Sequence, residues 1–160
     1  MTPHQALIDL LDRHQCRYRL VQHACAGKSV EVAIARGTEV GQGAKALVCS
    51  GTDELGKAIH ALAVLPADRR LNLGALAMAL GVRKMRLADK SLATDLTGCE
   101  VGMIPPFSFH KDLVVVLDPD LTDRFDEIAF NAASFETSAI LNSEDYLRVA
   151  SPLLHKIQAD

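Results

Sequence analysis

The sequence predicts an α+β fold: one compact domain over residues 1–160, with a mixed, mostly antiparallel sheet flanked by helices. Three observations carry this. The strand patterns KALVCS at 45–50 and KAIHALAVL at 57–65 flank the turn-rich GTDELG and read as an antiparallel hairpin. Residues 113–117, LVVVL, form an unbroken apolar run of the length expected of a fully buried strand. The other strand patterns do not alternate strictly with helices, which argues against a doubly wound parallel sheet.

Taken in order, Thr2 can cap a first helix with Pro3 at its first position, and Leu7, Leu10 and Leu11 supply an apolar stripe through about His14. Arg17 to His23 then alternate like a half-buried strand. A short helix over Ser29 to Ala35 ends at Arg36-Gly37, where glycine can take the left-handed cap, and TEVGQG follows as a loop. After the hairpin, Leu73, Leu76, Ala77 and Leu80 carry helical spacing that stops at Gly81. Lys84 to Ala88 read as a strand, and Asp89 to Leu96 as a short helix with an acidic cap. Beyond the buried strand, Asp126 to Phe130 and Thr137 to Leu141 add two short strands. Ser143 opens a last helix, SEDYLRVA, with acids in its first turn where the helix dipole favours them.

Composition narrows the partners. With 17 basic and 20 acidic residues the net charge is −3, so no global field draws the chain to nucleic acid, and RNA contact must use a local patch. The best such patch is Arg83, Lys84 and Arg86, with Arg69 and Arg70 as a second. Cys16, Cys25, Cys49 and Cys99 lie far apart without a CxxC pair, which fits free thiols in a reducing cytoplasm. The N-terminus has charges throughout and lacks the pattern of a signal peptide, and no stretch reaches membrane-spanning length.

The most informative segment is TGCEVGMIPPFSFH at 97–110. Pro105 and Pro106 fix φ and remove two backbone donors, while Gly98 and Gly102 permit close approaches. The segment reads either as a stiff connection or as a rigid loop offering bare N–H groups to a ligand. Lys45 opens an apolar strand directly after GQGA, a placement suited to an anion or a carbonyl oxygen; the plain alternative is a lysine snorkelling from a strand end. Ala44 and Ala46 flank it, which excludes a phosphate-binding P-loop. The six histidines show no metal-ligand spacing, although His23, His60 and His110 have positions from which they could approach one cleft. No nucleophile elbow occurs. Asp118, Asp120, Asp123, Asp126 and Glu127 read as a solvated acidic face. Asn131 precedes small residues that fit either a turn or an open pocket.

Four stretches together, GQGAKALV at 41–48, AVLPADRRLNL at 63–73, TGCEVGMIPPFSFH at 97–110 and RFDEIAFNA at 124–132, resemble the YbaK family of free-standing aminoacyl-tRNA deacylases. The same domain is found inserted in bacterial prolyl-tRNA synthetases. IPPFSFH and RFDEIAFNA are particularly similar to the YeaK branch, which resembles the Ser/Thr-specific ProXp type. The resemblance covers essentially the whole chain and implies a curved, YbaK-like sheet.

It also implies trans-editing, the hydrolysis of the ester that joins a wrong amino acid to the terminal adenosine of tRNA. The family's invariant lysine falls on Lys45, and its glycine/proline loop on Gly102, Met103, Ile104, Pro105 and Pro106. Lys45 and Gly102 are the expected catalytic positions. His23, Met103, Ile104, Pro105, Pro106, Phe107, Ser108, Asn131 and Ser138 are the expected substrate contacts, with no metal and no cofactor. Water is the expected nucleophile, helped by backbone N–H groups near Gly102 to Ile104 and by the substrate's own ribose hydroxyl.

The departures point to the amino acid. Pro105 replaces a serine of the usual loop, and Ser108 a glycine. Asn131 stands on the histidine of the alanine-specific branch, and His23 on a tyrosine of the Cys-tRNA(Pro) branch. Ser or Thr is therefore the expected amino acid, and the acceptor end of mischarged tRNA the expected partner, with a synthetase contact besides and neither DNA nor membrane. Oligomeric state is left undetermined. The alternatives are a deacylase for Ala- or Cys-tRNA(Pro), or a non-catalytic module that binds an aminoacyl-tRNA end or a synthetase.

Overall fold

A computed structural model describes residues 1–25 and 29–160. Helix α1, Pro3–Arg13, begins at a capping box in which Thr2 Oγ1 accepts the Gln5 N–H and Gln5 Oε1 accepts the Thr2 N–H. Its Leu7 and Leu11 are fully buried. Strand β1, Tyr18–Gln22, is followed by α2, Ser29–Arg36. The expected TEVGQG loop contains a 3₁₀ turn, Val40–Gln42, which delivers the chain to β2, Ala44–Thr52. The hairpin forms as expected: β3, Ala58–Pro66, pairs antiparallel with β2 from Ala44↔Pro66 to Thr52↔Ala58.

Helix α3, Leu73–Leu80, is capped by Asn72 and closed by left-handed Gly81. Strand β4, Met85–Leu87, leads to α4, Lys90–Thr97, capped by Asp89 and ended by Gly98. Strand β5 is Leu113–Leu117. Then come α5, Asp120–Arg124, strands β6, Glu127–Asn131, and β7, Thr137–Asn142, helix α6, Ser143–Ala150, and the short β8, Leu153–Leu154.

The strands divide into two sheets. β1-β7-β6 is wholly antiparallel, whereas β4-β2-β3-β5-β8 is mixed, with β5 parallel to both β3 and β8. The single sheet expected from the sequence is thus split, because β7 takes the distant β1 as its second neighbour instead of extending the hairpin. A lone bridge between Gly43 and Ala129 joins the two sheets beside the site described below.

The larger sheet is covered on both faces. One face packs Val48, Leu62, Val64, Val115 and Leu117 against Ile128, Phe130 and Leu141 of the smaller sheet and against α1. The other packs Cys49, Ala61, Ala63 and Val116 against Leu76 and Ala77 of α3. Burial on both sides explains why ALAVL is a continuous apolar run. LVVVL is buried at four positions, but Val114 is 41% exposed, which corrects the expectation of a fully buried strand.

The acidic segment corrects the reading of a solvated face. Asp118 is 1% exposed and its carboxylate accepts the N–H groups of Asp120, Ile157 and Gln158. Asp120 lies within ion-pair distance of Arg69 and Arg124. Asp118 and Asp120 were misread because the partners that hold them, Ile157, Gln158 and Arg69, sit far away in sequence. Helix α5 and strand β8 went unseen because five and two residues are too few to show a period.

Candidate functional site

A cavity of about 280 Å³ opens where α2, the 3₁₀ turn, the start of β2, the 101–104 loop and the end of β6 meet. Arg36, Gly43, Lys45, Gly102, Ile104 and Asn131 are in its wall. These come from distant parts of the chain. The Gly43–Ala129 bridge holds the start of β2 against β6, and Asn131 Nδ2 ties β6 to the loop by donating to Gly102 O at 2.8 Å.

Lys45 is half-buried, and its Nζ donates to the Arg69 carbonyl. That carbonyl belongs to a braced segment. Ala67 N donates to Gly43 O at 2.8 Å, Asp68 takes a two-pronged bond from Arg124 at 3.0 and 2.9 Å, and Ala159 N donates to Arg70 O at 2.7 Å. A Cβ on Gly41 would stand 2.6 Å from Arg124 Nη2 and 2.8 Å from Asp68 Oδ2, so only glycine lets the 3₁₀ turn lie against this pair. Burial, and after it the charge of Arg70, push the Lys45 ammonium below its ordinary pKa, partly opposed by Asp68. Arg70 is exposed, whereas Arg69 is tied to Asp68, Asp120 and Gln158.

Arg36 is the functional candidate that the sequence reading missed. Nε donates to Ser138 Oγ at 2.8 Å and Nη2 to Asn131 Oδ1 at 3.1 Å, and burial lowers its pKa to about 10. Ser138 is fully buried and also lies 2.8 Å from His23 Nε2. His23 Nδ1 faces the Ala24 carbonyl at 2.9 Å, which only accepts, so a neutral His23 carries its proton on Nδ1 and takes the Ser138 hydroxyl at Nε2. His23, Ser138, Arg36 and Asn131 therefore form one chain of polar contacts that ends at Gly102 O. The only signal for Arg36 was a basic residue in the last turn of a helix, which the dipole favours anyway.

The 97–110 loop divides. Gly102 has φ +102°, and a Cβ there would stand 3.2 Å from Phe135 Cε1. Gly102 and Ile104 reach the cavity, and their N–H groups make no intramolecular hydrogen bond among the described residues. The Met103 N–H does not join them, because it donates to Glu100 O at 3.1 Å. Met103, Pro105, Pro106, Phe107 and Ser108, the other expected substrate contacts of this loop, are not among the residues that line the cavity. Pro105, Pro106 and Phe107 are buried, with Phe107 edge-on to Phe130 and Tyr146. Pro106 O accepts the Tyr146 hydroxyl at 2.7 Å. Ser108 Oγ closes a local turn by donating to His110 O. An apolar, rigid segment served the core, a use that the sequence pattern alone did not separate from ligand contact.

His23 and Ser138 stand behind the wall, acting on Arg36, rather than in it. The three histidines expected at one cleft do not meet. His60 lies in a separate groove with Lys57 and Lys111, and His110 Nδ1 accepts the Asp112 N–H. Among the described residues no group of three or more His, Cys, Asp or Glu is arranged to hold a metal ion, and no helix is long and apolar enough to cross a membrane.

An α+β domain with a lysine and an arginine in one cavity and, among the described residues, no carboxylate in its wall has the makings of a site for an electron-rich oxygen. Residues 23–149 match the aminoacyl-tRNA editing domain, and the chain belongs to that family. It is 48% identical over 151 residues to the Multifunctional Ser/Thr-tRNA deacylase ProXp-y of Escherichia coli (strain K12), covering 94% of this chain and 90% of that protein. Its fold is similar to that of the hypothetical protein APE2540, with TM-score 0.83 and 19% identity over 96% of this chain and 99% of that one. A crystal structure described as a candidate trans-editing enzyme for prolyl tRNA synthetase gives TM-score 0.80 and 23% identity, covering 100% and 99%. The family resemblance drawn from the four sequence stretches is thereby borne out.

Proposed function

We propose that this protein is a trans-editing aminoacyl-tRNA deacylase that hydrolyses the ester of mischarged seryl- or threonyl-tRNA. The observation that carries the reading is Lys45, a partly desolvated cation in the wall of a cavity that has no acid among its described residues. Near-full-length likeness to a Ser/Thr-tRNA deacylase supports the substrate class.

An aminoacyl ester is already activated, so positioning and charge stabilisation suffice. Water adds to the ester carbonyl carbon. The carbonyl oxygen becomes an oxyanion beside Lys45 and the free N–H groups of Gly102 and Ile104. Collapse breaks the bond to the ribose oxygen, which leaves with a proton as a hydroxyl, and the products are free amino acid and tRNA. With no carboxylate or imidazole among the described residues of the wall, the neighbouring ribose hydroxyl of the substrate is the proton relay this reading requires. Asn131 holds Gly102 in place, and Ser138 and His23 act through Arg36.

Arg70, exposed and close enough to act on Lys45, is the proposed contact for the terminal phosphate. Arg83, Lys84 and Arg86, all exposed at the β4 edge, are the proposed contact for the acceptor stem. A synthetase is a second proposed partner, since a free-standing editing domain acts on the ester before it reaches the ribosome. The proposed location is the cytoplasm, where that substrate is made.

The test is release of serine or threonine from noncognate tRNAs charged with them. Lys45→Ala is expected to lower the rate by about 10²–10³, the usual cost of losing one oxyanion contact. An unchanged rate in Lys45→Ala removes the role given to Lys45, and no release from Ser, Thr, Ala or Cys esters removes the enzyme reading. Tight binding of aminoacyl-tRNA without turnover would instead identify a non-catalytic module.

A further inference from the structure

Arg36 brings into the cavity a cation with no carboxylate partner among the described residues. A guanidinium offers five N–H donors in a fixed plane, of which Ser138 and Asn131 take two, so three remain. Nη1 lies 3.7 Å from the point that a Cβ on Gly43 would occupy, and Gly43 is part of the same cavity wall. Nη1, which carries two of the remaining donors, thus lies beside Gly43 in the cavity wall. Burial lowers the pKa only to about 10, so the group is charged at neutral pH.

The plane is fixed before any ligand arrives. Ser138 is fully buried on β7 and Asn131 ends β6, and both are bonded onward, to His23 and to Gly102 O. A buried donor left unpaired is costly, and more so when it is charged. A preorganised donor therefore discriminates through what it demands. A substrate side chain with a hydroxyl meets the demand, and a methyl in the same place does not.

We propose that Arg36 is a specificity-determining residue that donates to the side-chain hydroxyl of the seryl or threonyl group, its plane held by Ser138 and Asn131. This rests on the deacylase reading. A terminal phosphate is the competing ligand for a cation, but it continues into the rest of the tRNA and stays at the rim, where Arg70 is exposed. The anchors at Ser138 and Asn131 draw Arg36 inward, toward the aminoacyl side chain.

The experiment compares kcat/KM of the full chain on one tRNA charged with serine and the same tRNA charged with alanine, for wild type, Arg36→Met and Arg36→Lys. Arg36→Met is expected to reduce the Ser/Ala ratio by about 10–100-fold, the size of one charged hydrogen bond, and Arg36→Lys by an intermediate factor. Both rates come from one preparation, so partial unfolding cancels in the ratio. Equal loss on both esters, as a phosphate contact would give, overturns the proposal, and so does an unchanged ratio. If Arg36→Met does not fold, Ser138→Ala keeps the cation and removes its Nε anchor; its ratio must fall too, and constancy overturns the proposal. Binding of 3′-seryl-amido- and 3′-alanyl-amido-adenosine repeats the comparison without turnover, and equal affinity in wild type overturns it as well. Wild type inactive on both esters removes the deacylase reading itself, whereas wild-type turnover with an unchanged variant ratio removes only the role of Arg36.

Discussion

Lys45 and Arg36 carry like charges into one cavity, and each is held by neutral oxygens rather than by a carboxylate. Such an arrangement costs stability in the free protein and is recovered when an electron-rich group binds. Lys45 has a lowered folded pKa, so near that value the unfolded chain binds more protons than the folded one, and its charge opposes folding. Lys45→Met is accordingly expected to lose deacylation while melting no lower than wild type, as thermal unfolding and amino-acid release measured side by side will show. For activity the sign is reversed: the rate after subtracting spontaneous hydrolysis should fall at a lower pH than a free lysine would dictate. Tyr146 gives a contrasting case. Its buried hydroxyl serves only the Pro106 carbonyl, so Tyr146→Phe should cost about 1–2 kcal/mol in denaturant unfolding and leave kcat/KM nearly intact. Lys45 was legible in the sequence because an ammonium at the head of an apolar strand is conspicuous. Arg36 was not, because a basic residue ending a helix has an ordinary explanation.

Among the elements, the 97–110 loop has two halves with different duties. Residues 101–104 reach the cavity, and 105–108 fasten the loop to the core through Phe107 and the Pro106–Tyr146 bond. Gly102 is the joint, with a positive φ that side chains rarely adopt and an aromatic edge against its open side. Gly102→Ala should therefore cost about 1–3 kcal/mol and lower kcat/KM, since any relief of the strain moves the carbonyl that Asn131 grips. If both stability and turnover stay at wild-type values, the loop is not the fixed wall described here. Element types were readable because capping residues and hydrophobic periods are local: Thr2, Asp89 and Gly81 each mark a helix end where the structure places one. Which half of the loop lines the cavity and which packs into the core is not local, so the pattern alone did not separate residues 101–104 from Pro105, Pro106 and Phe107.

For the molecule as a whole, polar clamps hold the last helix against the start of β1 and the C-terminal tail against the end of β5. Asp145, with a side chain only 9% exposed, accepts from Arg17 and Arg148, and these bonds hold its carboxyl well below the ordinary carboxylate pKa. A carboxylate with a depressed folded pKa stabilises above its unfolded value of about 4 and loses that contribution as pH falls toward the folded value. Asp145→Asn should therefore destabilise by about 3 kcal/mol at pH 7, with the gap to wild type closing in acid. Asp118 clamps the C-terminal tail through Ile157 and Gln158, and Asn72 and Arg70 meet the same tail, so Asp118→Asn should loosen the segment that presents Arg69 O to Lys45. Lower thermal stability together with a raised KM is the expected pair of results. Binding of aminoacyl-tRNA should weaken only modestly with salt, because few phosphates meet the exposed Arg70 and the β4 edge.

By itself the sequence determined the order and type of most elements, the editing family and the lysine of the site, because periodicity, caps and short motifs are written in neighbouring residues. Tertiary structure alone decided that the strands form two sheets, that Asp118 is a buried clamp, and that Arg36, Ser138, His23 and Asn131 form one network. Arg36 and Ser138 stand on different elements, 102 positions apart, and no local pattern encodes a contact made only when the end of α2 brings Arg36 to β6 and β7.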